Sequence, residues 1–163
     1  MKKLSSINWV NFKEDKIYLE DISITIGVNI EKWLNEYSNI SFEYENYSKL
    51  YPESERLIFN NFQSISIYLE DRIVTSIHIY PYEYQSSPYF NGDIFIFDKK
   101  LEVPFLSDDI EKYFPDISIK PKGYFKRFTP KEIVNYPISN TVKIEIMMGR
   151  DPELVGSLSL TGL

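Results

Sequence analysis

The segment ISIYLEDRIVTSIHI, residues 65–79, predicts a β-hairpin and with it the class of the fold. In its first half the apolar side chains of Ile65 and Ile67 alternate with the polar ones of Ser66 and Tyr68, a period of two that is typical of a strand. An acidic dipeptide separates this run from a second alternating run that ends in Ser-Ile-His-Ile. Because only one face of each run is apolar, we expect an antiparallel sheet with one face on the core and the other in water.

The hairpin belongs to a pattern that occurs twice along the chain. Similar segments follow one another in the same order in both halves: residues 17–26 and 94–105, residues 30–34 and 110–114, and residues 65–79 and 142–160. The offset between equivalent positions drifts only from 77 residues (17 to 94) to 81 residues (79 to 160). Biased composition alone would not keep this order. We therefore predict an internal duplication, with a first repeat at 1–84 and a second at 85–163.

Each repeat is predicted to contain two strands, one short amphipathic helix and three further strands. The chain has no Ala and is rich in β-branched and aromatic residues, which favours strands over long helices. The predicted class is therefore α+β: two tandem β-β-α-β-β-β repeats form mostly antiparallel sheet, with short helices packed on one face. A length of 163 residues with 43% hydrophobic residues suits a single compact unit.

Local signals predict where the helices begin and where the chain is irregular. Asn29 is a suitable N-cap for the first helix, and the sequence DDIE at 108–111 has the spacing of a capping box for the second. Residues 45–60 and 120–140 have little periodicity and are predicted to be long loops. Within the second loop, TPKEIV at 129–134 predicts a brief helix with Pro at its first position.

Composition excludes several classes of function. The chain has no Cys, so we expect no disulfide, no thiolate catalysis and no Cys-ligated metal. A net charge of −6 argues against a nucleic-acid partner, because phosphate neutralisation supplies much of the affinity of such proteins. One loop is locally basic, with Lys120, Lys122, Lys126, Arg127 and Lys131. Without a secretory signal or a long apolar run, we expect a cytoplasmic protein that does not enter a membrane.

No residue pattern predicts catalysis or a cofactor. His78 is the single histidine, and alternation places it on the exposed face of its strand, beside Ser76 and Tyr80. The acidic pairs at 20–21 and 70–71 lie where hairpin turns are expected, and turns favour acidic residues for backbone reasons. We therefore predict no catalytic residues, no metal site and no cofactor.

Tyrosine-rich segments predict a surface that binds a protein. Tyrosine supplies a large contact area at a low cost in conformational entropy, and it is enriched at interfaces. Acidic residues lie between the tyrosines, which would steer a basic partner toward this surface. The predicted contact residues are Tyr44, Tyr47, Tyr51, Glu53, Tyr82, Glu83 and Tyr84.

The strand runs SISIYL at 64–69 and NGDIFI at 91–96 carry a resemblance to known proteins. They resemble segments of small bacterial proteins of the polymorphic-toxin immunity type, which are acidic, poor in Cys and built from a sheet with one or two helices. The resemblance implies a cytoplasmic immunity protein that binds a toxic enzyme and blocks it.

We therefore expect a non-enzymatic protein-binding domain, an immunity protein that neutralises a bacterial toxin domain with a basic surface. We expect a monomer or a weak dimer. Two alternatives stay open: a structural or phage-derived assembly module whose strand edges pair with other copies, and a small carboxylate-based enzyme.

Overall fold

The computed structural model describes residues 7–36, 42–46, 54–59, 62–81, 89–116, 133–149 and 154–163. Within these ranges the protein is α+β and mostly antiparallel, as predicted. The first half contains β1 (Trp9–Lys13), β2 (Lys16–Leu19), β3 (Ile22–Thr25), α1 (Ile30–Glu36), β4 (Phe42–Asn46), β5 (Ser54–Phe59), β6 (Phe62–Glu70) and β7 (Ile73–Ile79). The second half contains β8 (Asp93–Ile96), β9 (Lys99–Lys100), a 3₁₀ turn (Ser107–Asp109), α2 (Ile110–Tyr113), β10 (Ile133–Pro137), β11 (Val142–Met148) and β12 (Val155–Gly162).

Five of these strands form the first sheet, in the order β3-β2-β1-β8-β9. All of its neighbours are antiparallel except β1 and β8, which run parallel with Val10 opposite Ile94 and Phe12 opposite Ile96. A tight turn cannot join two parallel strands, which need a long connection between them. Here the two partners come from different halves of the chain, β1 from the first and β8 from the second.

The other seven described strands form the second sheet, in the order β10-β11-β12-β7-β6-β5-β4, and all of its neighbours are antiparallel. The hairpin predicted at residues 65–79 is β6–β7, and its counterpart is β11–β12. The two halves of the chain meet where β7 pairs with β12, with His78 directly opposite Ser159. Both sheets are therefore continuous across the two halves.

The buried apolar side chains form one core cluster. The five-stranded sheet contributes residues such as Phe12 and Ile17, and the seven-stranded sheet contributes residues such as Ile67 and Leu158, none of them more than 1% exposed. We call the faces that carry these side chains the inner faces of the sheets and the opposite faces the outer faces. Burial of a side chain of this size contributes about 1.5–3 kcal/mol, so the shared core joins the two halves energetically.

The two helices add side chains to this core. Asn29 caps α1 as predicted, since its Oδ1 accepts from the backbone N–H groups of Glu31 (3.0 Å) and Lys32 (3.2 Å). Trp33 is buried, and its indole N–H donates to the carbonyl of Ser23 in the outermost strand β3 (2.9 Å). The capping box of Asp108 and Glu111 predicted for α2 is wrong, because Asp108 lies inside the 3₁₀ turn and the N-cap of α2 is Asp109, which makes no side-chain cap bond.

Two hairpin turns place non-glycine residues in the left-handed region. Asp71 and Arg72 have φ values of 50° and 65°, and Phe97 and Asp98 have 51° and 67°. Two-residue hairpin turns need positive φ, which matches the twist of the flanking strands. The Phe97 ring packs 5.9 Å from the ring of Phe114, so aromatic contact offsets the unfavourable backbone conformation.

Several strands lie where the sequence predicted none. The predicted long loops at 45–60 and 120–140 contain β5 and β10, and β10 begins at Ile133 inside the segment predicted as a brief helix. The strand β1 was also missed, because its Asn and Lys residues obscured the alternation. The α+β class is confirmed, whereas the tandem repeats, with boundaries at 1–84 and 85–163, stay a prediction.

Candidate interaction surface

The residues predicted to contact a partner are mostly outside the described part of the chain. Tyr44 lies in β4, where its backbone is opposite that of Leu57 in β5. The other six, Tyr47, Tyr51, Glu53, Tyr82, Glu83 and Tyr84, fall outside the described residues. Their assembly into one surface therefore stays a prediction.

The outer face of the seven-stranded sheet carries a network of hydroxyl groups around His78. Cross-strand register aligns Ser66, His78, Ser159 and Glu145 in one row across four strands. The Nδ1 atom of His78 lies 2.9 Å from the Ser159 hydroxyl, and the Nε2 atom lies 3.0 Å from the Ser76 hydroxyl. A neutral imidazole has one donor and one acceptor, so one of these hydroxyls donates to the ring and the other accepts.

This network is self-contained. Ser66 and Ser159 are 2% and 1% exposed, and the ring of Tyr68 packs edge-on against His78 at 4.7 Å between centroids. Burial lowers the pKa of His78, and the charge of Glu145 partly opposes that shift. His78 is therefore half-buried and engaged at both ring nitrogens, rather than exposed as the alternation predicted. This supports a structural role for it.

The outer face of the five-stranded sheet is different, since it carries aromatic side chains. Trp9, Tyr18 and Phe95 are partly exposed, and they belong neither to the core cluster nor to the hydrophobic residues packed against it. The rings of Trp9 and Phe95 meet edge to face, with centroids 6.3 Å apart and planes at 82°. Tyr18 and Phe95 flank Asn11 on the neighbouring strands. We call Trp9, Tyr18 and Phe95 the aromatic face.

Polar residues fix both ends of the aromatic face. At one end the carboxylate of Asp98 lies 2.6 Å from the Lys13 ammonium and accepts from the Asn11 amide (2.8 Å). These two bonds, from Lys13 first and then Asn11, lower the pKa of Asp98. At the other end Glu20 accepts from both the backbone and the side-chain N–H groups of Asn8 (2.8 and 2.9 Å).

A glycine allows the strands beneath the aromatic face to come together. A Cβ atom on Gly92 would lie 2.4 Å from the carbonyl oxygen of Asn8 and 2.6 Å from the ring of Phe90. The backbone N–H of Asp93 donates to that same carbonyl at 2.9 Å. Gly92 thus lets the chain enter β8 next to Trp9, where no other residue fits.

Carboxylates outnumber cations on the described surface. Several exposed cations lie close to carboxylates, as in the pairs Lys100–Asp93 (2.9 Å) and Lys112–Asp109 (2.7 Å). Arg72 lies 3.1 Å from Glu55. Exposed carboxylates are more numerous on this part of the surface: Glu14, Glu31, Glu36, Glu70, Asp71, Glu102, Asp108, Glu111 and Asp116. Since such pairs neutralise the cations, the field outside the described surface is negative.

The described residues contain no group of three or more His, Asp or Glu side chains placed to hold a metal ion. Neither described helix has the length and apolar character needed to cross a bilayer.

No protein-family model, curated protein or solved structure matches the chain.

Sequence reasoning missed the aromatic face because it searched the tyrosine-rich loops. The available signal was alternation in two short strands, where Trp9 alternates with Val10 and Phe95 alternates with Ile94. That alternation gives each strand a bulky aromatic side chain on the face that does not join the core. A large apolar side chain on such a face is the informative exception.

Proposed function

We propose that this protein is a non-enzymatic binding protein of the immunity type, which acts in the cytoplasm and neutralises a bacterial toxin domain with a basic surface. The observation that carries the proposal is the aromatic face, where Trp9, Tyr18 and Phe95 are partly exposed on a sheet and lie outside the core. Aromatic anchors of this kind dominate protein–protein interfaces. A sheet also holds them in place before the partner arrives, which lowers the cost of binding.

The charge of the surface favours a basic partner. With a net charge of −6 and with Lys100 and Lys112 paired to carboxylates, the protein attracts cationic surfaces and repels phosphates. Carboxylates at the tyrosine-rich segments, Glu53 and Glu83, fit the same partner. Reversing both charges is expected to weaken binding and flatten its salt dependence, and unchanged affinity would remove these loops from the interface.

The proposal extends to the origin of the fold as two copies of one β-β-α-β-β-β unit. The pairing of β7 with β12 supports it, since Ile77 lies opposite Leu160 and Ile79 opposite Leu158. With the offset of 81 residues, Ile77 is equivalent to Leu158 and Ile79 to Leu160, so each pair maps onto the other. His78 is likewise equivalent to Ser159, its direct register partner. A local two-fold axis between the copies would therefore pass between these two residues.

The test of the immunity role is a co-expression toxicity assay with the product of the adjacent upstream gene. That product is expected to kill cells when expressed alone, and co-expression of this protein is expected to restore growth. Ile133→Ala is the control for substitutions in the aromatic face. Ile133 is an exposed apolar residue (44% exposed) on the seven-stranded sheet, and its loss should leave rescue intact. A harmless neighbour, or killing that persists at equal expression, would contradict the proposal.

A further inference from the structure

At one end of the aromatic face, Trp9 lies between Asp93 of β8 and Glu20 of the turn that follows β2, and we call these three residues the row. The backbone N–H of Glu20 donates to the carbonyl of Trp9 (3.2 Å), which places Glu20 beside it on the β2 side. Asp93 is the register partner of Trp9 on the β8 side. Val10 and Ile94 are buried in the core, so alternation puts Trp9 and Asp93 on the outer face. Glu20 lies in the turn after β2 with a φ of 56°, and its carboxylate is placed by its two bonds to Asn8.

Each member of this row is held in position. The Oε1 atom of Glu20 accepts two hydrogen bonds from Asn8, and the Oδ1 atom of Asp93 lies 2.9 Å from the Lys100 ammonium. The edge contact with Phe95 fixes the indole ring of Trp9. An ionised carboxylate has about four acceptor positions on its two oxygens, so these bonds do not exhaust either group.

We propose that this row receives an arginine side chain of the protein partner, an inference that rests on the proposed function and assigns its central contact. The face of an indole ring is the best aromatic receptor for a cation. A guanidinium is planar and weakly hydrated, so it stacks on a ring and forms bidentate bonds with a carboxylate at the same time. An ammonium lacks that planar geometry, which makes arginine the better fit than lysine.

The charge of the protein selects the same occupant. A phosphate or a carboxylate ligand would meet Glu20 and Asp93 as well as the overall charge of −6, and both repel it. An uncharged apolar side chain could contact Trp9, but it would partly desolvate the two carboxylates without adding a bond to either of them. A guanidinium satisfies the ring and the carboxylates together.

The first experiment measures calorimetric affinity for the purified product of the adjacent upstream gene. Trp9→Ala is expected to weaken binding by about 30-fold or more, as for a hot-spot aromatic residue, while Trp9→Phe loses less because it keeps a ring. Neutralising both carboxylates with Glu20→Gln and Asp93→Asn should weaken binding by about tenfold and reduce its salt dependence. The matched control removes the same charge at an exposed turn on the other sheet, with Glu70→Gln and Asp71→Asn, and should change affinity less than about threefold.

The outcomes separate the two proposals. If the wild-type protein binds and rescues growth but the Trp9→Ala protein binds equally well, the arginine site is wrong and the immunity role stands. If the wild-type protein neither binds nor rescues, the immunity role is wrong. Circular dichroism of each variant checks that a lost affinity does not reflect a lost fold.

A second experiment needs no natural partner. An octa-arginine peptide is titrated against the tryptophan fluorescence of the protein, which contains two Trp residues, and buried Trp33 should be insensitive to it. We expect saturable quenching in the wild type, no quenching in Trp9→Phe, and weaker binding to the Glu20/Asp93 double variant than to the Glu70/Asp71 control. Equal binding to both double variants, or quenching that persists in Trp9→Phe, would overturn the site.

Discussion

On the outer face of the seven-stranded sheet, polar side chains bond to one another, whereas on the outer face of the five-stranded sheet, aromatic side chains are left partly exposed. His78 has a hydroxyl group at each ring nitrogen, and Ser66 and Ser159 beside it are nearly inaccessible. Trp9 and Phe95 contact each other but add nothing to the core. The polar groups of the first face are hydrogen-bonded within the protein, whereas the aromatic side chains of the second face remain accessible to a partner.

Because the two outer faces differ in this way, substitutions in one should change the stability of the fold and substitutions in the other should change affinity for a partner. Removing a member of a satisfied buried network leaves its former partner unpaired, so the cost appears in folding. Removing a partly exposed aromatic side chain costs folding little, so the effect appears in affinity. Four predictions follow this contrast from the largest expected effect to the smallest.

The inner face provides the reference. Ile77→Ala and Leu158→Ala each remove a side chain that is 0% exposed, and each is expected to lower the free energy of unfolding by about 2–5 kcal/mol. The two losses should be similar if the positions are equivalent in a duplication. Urea unfolding measures both, and a loss below about 1 kcal/mol at either position would contradict the assigned core.

Ser159→Ala tests whether the hydroxyl network stabilises the fold. It leaves the Nδ1 atom of half-buried His78 without its partner, and we expect a loss of about 1–3 kcal/mol in the free energy of unfolding with unchanged affinity for a partner. Ser23→Ala, on the outer face of the five-stranded sheet, is the matched control and should stay within about 0.5 kcal/mol. Equal effects at the two serines would remove the distinction between the faces.

The pH dependence of stability provides the third test. Because burial lowers the pKa of His78, the unfolded chain binds its proton more readily than the folded protein does. Stability is therefore expected to fall as the pH drops below about 6.5, by up to about 1.4 kcal/mol per pH unit.

His78→Gln separates this titration from other groups. Among the residues that the structure describes, the charged and titratable side chains that face His78 are Glu145, its ion-pair partner Lys143 (2.8 Å) and the packed Tyr68. His78 is the single histidine of the chain, so the variant should lose this slope between about pH 5.5 and 7. A slope that persists in His78→Gln would show that another group causes it.

The smallest effect on stability is expected at the aromatic face. Tyr18→Thr replaces the ring with a β-branched residue that also favours a strand, and it should change the free energy of unfolding by no more than about 0.5 kcal/mol. Affinity for the partner should nevertheless fall about fivefold or more. Thermal unfolding and calorimetric binding measure the two quantities. A loss of stability without a loss of affinity would show that Tyr18, like Ser159, stabilises the fold and does not contact the partner.

Local alternation was enough to predict the strands that form the two long hairpins. The period of two is clear over most of β6–β7 and β11, with register shifts at Tyr68/Leu69 and Met147/Met148, and the inner face is the predicted one. The helix cap at Asn29 was predictable for the same reason, since it depends on neighbouring backbone groups. By contrast, β5 and β10 have mixed side chains and form because adjacent strands offer them hydrogen-bonding partners.

The separation into two sheets could not be predicted from either half of the chain alone. It depends on the parallel pairing of β1 with β8, which joins residues more than eighty positions apart. The candidate site was missed for a related reason, because Asp93 becomes a neighbour of Trp9 only through that pairing. A search for local clusters in the sequence does not find residues that meet through a long-range contact.

The pairing of β1 with β8 also sets an order of events during synthesis. On the ribosome, β1 can pair with β2 early, but its second edge has no neighbour until β8 emerges. Contacts between residues so distant in sequence slow folding, because the intervening chain must be ordered first. The first half of a nascent chain therefore exposes an unpaired strand edge and part of its apolar surface, which makes this interval the one in which aggregation competes with folding.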